Sequence, residues 1–72
     1  MRKELVSALK SKYRADYDIA HANLNIYFEN PVGIGEHPDV LAAIQDQLDV
    51  IAHEEERIQV INKHFSSHTH IE

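Results

Sequence analysis

Glycine and proline are confined to one short stretch of this chain. The sequence has two of each, and all four fall between Pro31 and Pro38. A β-sandwich or barrel needs turn residues spread along the chain, so this distribution argues against an all-β fold. The 72 residues suffice for one small domain. The feature therefore predicts two long regular segments joined by a single loop.

The segment before the loop has helical periodicity. Its apolar residues are spaced by three or four positions, as on one stripe of an α-helix. The stripe consists of Leu5, Leu9, Tyr13, Tyr17, Ala20, Leu24 and Tyr27. Asn30 precedes Pro31, and a residue before proline is disfavoured in the α region. The spacing predicts a helix over about residues 2–29.

The loop is predicted over residues 30–37. Two glycines in it can adopt the positive φ that a tight reversal needs. The residues that define the loop are Asn30, Pro31, Gly33, Gly35 and Pro38.

The segment after the loop predicts a second helix over about residues 38–65. Proline suits the first turn of a helix and Asp39 favours its positive end, so His37 is expected as the cap residue. The predicted seam is heptad-like and consists of Leu41, Ile44, Leu48, Ile51, Glu55, Ile58, Asn62 and Phe65. Glu55 and Asn62 either fix register and partner choice or lie at the seam edge.

Two helices joined by about eight residues predict an all-α antiparallel two-helix hairpin over residues 1–65. Residues 66–72 lack periodicity and predict a flexible histidine-containing tail. Residues 1–14 carry a net charge of +4 and residues 15–72 a net charge of −9. We expect the basic residues Lys10, Lys12 and Arg14 to lie opposite the run Glu54–Glu56, favouring the antiparallel register.

More apolar residues are present than one helix pair can cover. Those expected at the margins of the seam are Val6, Ile19, Ile26, Val50 and Ile61. Either pairing of two hairpins into a four-helix bundle or docking on another protein would cover them. These five residues are the interaction candidates.

Catalytic, cofactor and metal sites are not expected. The chain has no Cys, which excludes a disulfide, a thiolate metal site and a Cys nucleophile. The run His53–Glu56 begins like a zincin motif, but Arg57 stands where the second histidine ligand is needed. The weak metal candidates are His64, His68 and His70. We expect a non-enzymatic protein without cofactors.

A net charge of −5 has the wrong sign for a general nucleic-acid binder. The alternative is that the basic first helix contacts single-stranded nucleic acid, with Tyr13 and Tyr17 stacking on bases. The residues for such contacts are Arg2, Lys3, Lys10, Lys12 and Arg14. The longest apolar run is too short to cross a bilayer, so no membrane partner is expected.

The run Asn30–Pro38, followed by an acidic amphipathic helix, resembles small proteins of T4-like and marine tailed phages. This group includes small proteins encoded beside the UvsW recombination helicase. The resemblance covers the loop and second helix best. It implies a helix-loop-helix accessory protein in the cytoplasm of an infected bacterial cell, with a phage or host protein or a second copy as partner. Its alternative is a factor in DNA recombination or repair. The resemblance implies no catalytic residues for this chain.

The loop analysis predicts that replacing both Gly33 and Gly35 with Val destabilises the hairpin, because β-branched residues tolerate positive φ poorly. Thermal melting followed by circular dichroism measures the effect. A double variant that melts like the parent would show that neither glycine holds the loop conformation.

Overall fold

A computed structural model of the chain describes residues 1–30 and 39–65. Two helices form this part of the protein, α1 over Arg2–Glu29 and α2 over Val40–His64. They pack against each other along their length, and no strand occurs among the described residues. The predicted all-α helical hairpin is confirmed.

Three contacts between the helices show that they run antiparallel. The Asn23 side-chain amide donates a hydrogen bond to Gln47 Oε1 over 3.3 Å. Nearer the chain ends, the Arg57 guanidinium lies 5.6 Å from the centre of the Tyr13 ring. At the open end of the hairpin, the Arg2 guanidinium lies 5.7 Å from the centre of the Phe65 ring. As residue numbers fall on α1 they rise on α2, as an antiparallel pair requires.

The end of α1 and the start of α2 are described up to the loop. Asn30 follows α1 with φ −145° and ψ 70°, outside the α region, and its N–H donates to the Ile26 carbonyl over 2.8 Å. The predicted stop before Pro31 is therefore confirmed. At the other side, α2 begins at Val40 and Asp39 is its N-cap residue, so the predicted cap at His37 is wrong. The Asp39 side chain makes no capping hydrogen bond. Pro31, Gly33, Gly35, His37 and Pro38 lie outside the described residues.

The face of α1 that packs on α2 is partly the predicted one. Buried or half-buried along it are Val6, Lys10, Tyr13, Tyr17, Ala20, Leu24 and Tyr27. The prediction is correct from Tyr13 to Tyr27 and wrong at Leu5 and Leu9, which are exposed. Successive steps of four residues rotate by about 40° each, so the predicted stripe drifts out of the interface towards the N-terminus.

The face of α2 that packs on α1 is displaced by one residue from the predicted seam. It contains Val40, Ala43, Ile44, Gln47, Val50, Ile51, Glu54, Ile58 and Ile61. The predicted seam residues Leu41, Leu48, Glu55 and Phe65 are exposed instead, and Asn62 is half-buried. Three isoleucines belong to both sets, which is why the pattern alone does not separate them.

Between the helices, the buried apolar core is thin. Among the described residues it consists of Ala20, Leu24 and Ile61. The small side chain of Ala20 lets the two backbones approach, and Leu24 and Ile61 fill the interface on either side along the axis. Neither described helix has a stretch that is long and apolar enough to span a membrane.

The displaced seam predicts that the same substitution has opposite consequences at two leucines. Leu24 is 6% exposed and Leu41 is 73% exposed. Leu24→Ala should cost about 2–4 kcal/mol, most of the stability that a hairpin of this size has. Leu41→Ala should change the free energy of unfolding by less than about 0.5 kcal/mol. Chemical denaturation at low protein concentration measures both, and equal losses would contradict the observed seam.

Candidate interaction surface

Two of the cations of α1 are paired within their own helix. Lys12 Nζ lies 2.9 Å from Asp16 Oδ2, and Arg14 Nε lies 3.3 Å from Asp18 Oδ1. The hydrogen bond and charge of Asp16 raise the pKa of Lys12, and the more distant charge of Glu54 adds to the effect. The predicted pairing with the glutamates of α2 is therefore wrong as the main interaction of these two side chains, because an acid one helical turn away is nearer.

Elsewhere at the basic end of α1, the N-terminal ammonium lies 2.9 Å from Glu4 Oε1, and this hydrogen bond lowers the pKa of the Glu4 carboxyl. Lys10 is half-buried in the helix interface, whereas Lys3 is exposed.

Glu54 is a buried carboxylate in the interface. It is 6% exposed, and its Oε2 accepts a hydrogen bond from Arg57 Nη1 over 2.8 Å. Its Oε1 is buried without a hydrogen-bond partner in the described part of the chain. Arg57 is half-exposed and lies over the Tyr13 ring, so the pair runs from the interface to the surface. A buried carboxylate with one unsatisfied oxygen opposes folding unless its partner is kept.

A groove of about 650 Å³ opens between the two helices near the chain ends. Its lining is largely apolar and consists of Arg2, Val6, Leu9, Tyr13, Glu56, Arg57, Val60, Ile61 and Phe65. Leu9 and Val60 both line this groove. In sequence, each immediately precedes an interface residue of its own helix, Lys10 in α1 and Ile61 in α2. Because one residue turns a helix by about 100°, residues that precede interface positions lie on the groove face. Residues that follow them lie on the opposite face.

The groove face carries an apolar stripe along α1. This α1 stripe has heptad spacing and consists of Leu5, Leu9, Lys12, Asp16, Ile19, Asn23 and Ile26. Its leucines and isoleucines are all exposed, with 60% of Ile19 and 57% of Ile26 accessible. The Lys12–Asp16 ion pair interrupts it at the middle. Scattered surface apolar residues are common, but a periodic row of this kind is typical of a contact surface.

The opposite face carries a second stripe, on α2. This α2 stripe also has heptad spacing and consists of Leu41, Ile44, Leu48, Ile51, Glu55 and Ile58. Leu41 and Leu48 are exposed, and the isoleucines are half-buried at the edge of the helix interface. Phe28 of α1, also exposed, follows the interface residue Tyr27 and therefore lies on this face. Each helix thus has one seam for its partner in the hairpin and a second row whose leucines, with the isoleucines of the α1 stripe, remain exposed.

The five interaction candidates separate into two groups in the structure. Ile61 is buried in the core, and Val6 and Val50 are half-buried in the helix interface. Ile19 and Ile26 are exposed on the α1 stripe. The exposure of Leu41 and Leu48 on the α2 stripe was not predicted from the sequence, because both leucines were assigned to the hairpin seam. The signal was present, since Val40, Gln47, Glu54 and Ile61 form a second seven-residue series beside them.

The described histidines do not assemble a metal site. No group of three metal-ligating side chains occurs in residues 1–30 and 39–65. His64 ends α2, and its ring lies 6.1 Å from that of Phe65 in an edge-on arrangement. The other two metal candidates, His68 and His70, lie outside the described residues.

Comparison with known protein families, curated proteins and solved structures finds no match to this chain. No residue role is therefore transferred from a relative. The exposed stripes and the groove carry the functional argument.

The Glu54–Arg57 pair predicts an asymmetry between its two members. Arg57→Met leaves a buried carboxylate without its partner and should cost about 1–3 kcal/mol. Glu54→Leu removes the buried charge, leaves a solvated guanidinium, and should be neutral or stabilising. Arg14→Met is the matched control, because Arg14 also lies over a tyrosine but pairs with an exposed aspartate. Urea denaturation of the three variants tests this, and equal losses from Arg57→Met and Arg14→Met would contradict the buried pair.

Proposed function

We propose that this chain is a small non-enzymatic accessory protein that acts as a helical protein–protein interaction module. Its proposed setting is the cytoplasm of a phage-infected bacterial cell, which rests on the resemblance of the loop sequence. The observation that supports an interaction role is the orientation of α2. It buries Glu54 and half-buries Gln47 against α1 while Leu41 and Leu48 remain exposed.

The orientation of α2 is informative because it leaves two leucines of a heptad-spaced row outside the hairpin. Turning α2 by one residue would cover Leu41 and Leu48, each with a burial free energy of about 1.5–3 kcal/mol. The same turn would uncover Ile61 and the half-buried Val40 and Val50, so either orientation leaves apolar residues exposed. The shared isoleucines would stay at the interface in either orientation. The observed seam gives Gln47 a hydrogen bond from Asn23 on the other helix, and Glu54 is paired through one oxygen with Arg57 of its own helix. Exposed leucines in a periodic row are then available to a partner helix, as in helix-in-groove recognition.

The buried titratable group of the described residues supports the non-enzymatic reading. Glu54 is committed to Arg57 inside the helix interface. A general acid or base needs a reacting proton within hydrogen-bond reach in a site that admits a substrate. The groove lies beside this pair, and its walls are largely hydrocarbon. This arrangement suits packing against another apolar surface.

The charge arrangement favours a protein partner over nucleic acid. Two of the five candidate cations for phosphate contacts, Lys12 and Arg14, are paired with aspartates one turn away. Binding to phosphates would have to compete with these carboxylates. Tight binding of single-stranded DNA that weakens steeply with salt would instead favour the alternative role in recombination or repair.

The α2 stripe predicts which substitutions abolish association. Leu41→Glu/Leu48→Glu should remove binding to a protein partner while the hairpin stays folded, because both side chains point away from α1. Ala42→Glu/Gln45→Glu is the matched control, since it adds the same charge at exposed positions on the outer side of α2. Affinity capture from infected cells, with helicity measured by circular dichroism, compares the two variants with the parent.

The expected result is one or more proteins retained by the parent and the control and lost from Leu41→Glu/Leu48→Glu. Sedimentation equilibrium and thermal melting over a hundredfold concentration range test association with a second copy in the same variants. A parent that neither associates nor captures a protein in a stripe-dependent way would contradict the proposed function.

A further inference from the structure

The two exposed stripes match each other in one antiparallel register. That register sets Leu9 against Ile58, Ile19 against Leu48, and Ile26 against Leu41. At the same register Lys12 falls opposite Glu55, so the cation that interrupts one stripe meets the anion that interrupts the other. Within the hairpin the exposed leucines and isoleucines of the two stripes lie on opposite faces. The match can therefore be satisfied only between two chains.

We propose that the α1 stripe of one copy binds the α2 stripe of a second copy, side by side and antiparallel. This inference rests on the proposed function and names the partner that the exposed faces fit. Lys12 is 65% exposed despite its bond to Asp16, and Glu55 is exposed, so both are available at the surface. The contact would add an intermolecular carboxylate to the Lys12–Asp16 pair and cover the leucines of both stripes.

Neither stripe fits a copy of itself as well. Two α1 stripes paired antiparallel with Leu5 against Ile26 set Lys12 against Ile19 and bring Asp16 within one residue of Asp16 of the other copy. Two α2 stripes paired with Leu41 against Ile58 set Glu55 against Ile44, without a cation. Burying an unpaired charge against hydrocarbon is costly, and like charges brought close together add repulsion. The mixed pairing sets apolar against apolar at three positions and Lys12 against Glu55. Asp16 then falls opposite Ile51 but keeps Lys12 as its partner, and Asn23 falls opposite Ile44.

The mixed pairing differs from the symmetric homodimer expected from the sequence. Each copy uses a different face toward each neighbour, so the contact is heterologous. After two copies join, one α1 stripe and one α2 stripe remain open at the ends. Further copies can add in the same way until a ring closes or a filament forms. The assembly therefore has no fixed stoichiometry at the dimer.

Two blocked variants test the pairing. Ile19→Glu/Ile26→Glu blocks the α1 stripe, and Leu41→Glu/Leu48→Glu blocks the α2 stripe. All four positions are exposed, so helicity measured by circular dichroism should equal that of the parent. Sedimentation equilibrium is measured for the parent, for each variant alone, and for a 1:1 mixture of the two.

The parent should grow past a dimer as its concentration rises, and each blocked variant alone should be monomeric. Their mixture should form a heterodimer and stop there, because only one intact pair of stripes remains. Dimerisation of either blocked variant alone would overturn the proposal, since it would require a stripe to bind its own kind. A 1:1 mixture of the two blocked variants that stays monomeric would also overturn the proposal.

Charge reversal provides a second test that leaves the apolar positions intact. Glu55→Lys and Lys12→Glu should each weaken association of the parent by up to about fivefold, and the double variant should recover most of it. Additive weakening would overturn the register.

The failure of this inference is distinguishable from failure of the proposed function. A parent that remains monomeric but captures another protein through the α2 stripe overturns self-pairing and leaves the interaction module standing. A parent that neither self-associates nor captures another protein overturns both the self-pairing and the proposed interaction module.

Discussion

The packing of α2 on α1 through the Gln47–Glu54 side of the helix determines the other features of this molecule. Gln47 accepts a hydrogen bond from Asn23, and one carboxylate oxygen of Glu54 accepts from Arg57, while the other oxygen is buried without a partner among the described residues. That choice fixes the register, places Ile61 in the core and turns Leu41 and Leu48 outward. The exposed stripes and the groove follow from the same rotation. The surface that the protein offers is therefore set by how its polar residues are paired inside.

Much of the fold could be predicted from the sequence. The stop at Asn30 and the helical periodicity depend on local sterics and on apolar spacing, which act within a few residues. The face of α2 could not be predicted, because Ile44, Ile51 and Ile58 belong to either seam. The choice between Leu48 and Gln47 then depends on a hydrogen bond to Asn23, on the other helix. The apolar pattern of α2 favours Leu48, the more hydrophobic residue, because it contains no information about Asn23 on the other helix.

The candidate site was predicted in the same uneven way. Ile19 and Ile26 were expected at the surface and are exposed there, whereas Val6 and Val50 pack at the interface and Ile61 lies in the core. The charge pattern was also misleading in detail. An acid four residues from a base on the same helix is held within reach by the backbone, so Lys12 and Arg14 pair along α1 instead of across the hairpin. Long-range pairing has to compete with that local advantage.

The thin core has a consequence for how the protein is maintained in a cell. With three buried apolar side chains among the described residues, little free energy holds a single hairpin closed, so local opening is frequent compared with that of a thick-cored domain. A bound partner opposes that opening by adding contacts that only the folded state makes. Under the proposed function, proteolysis would remove unbound copies faster than bound ones, and the amount of the protein would then follow the supply of binding surfaces.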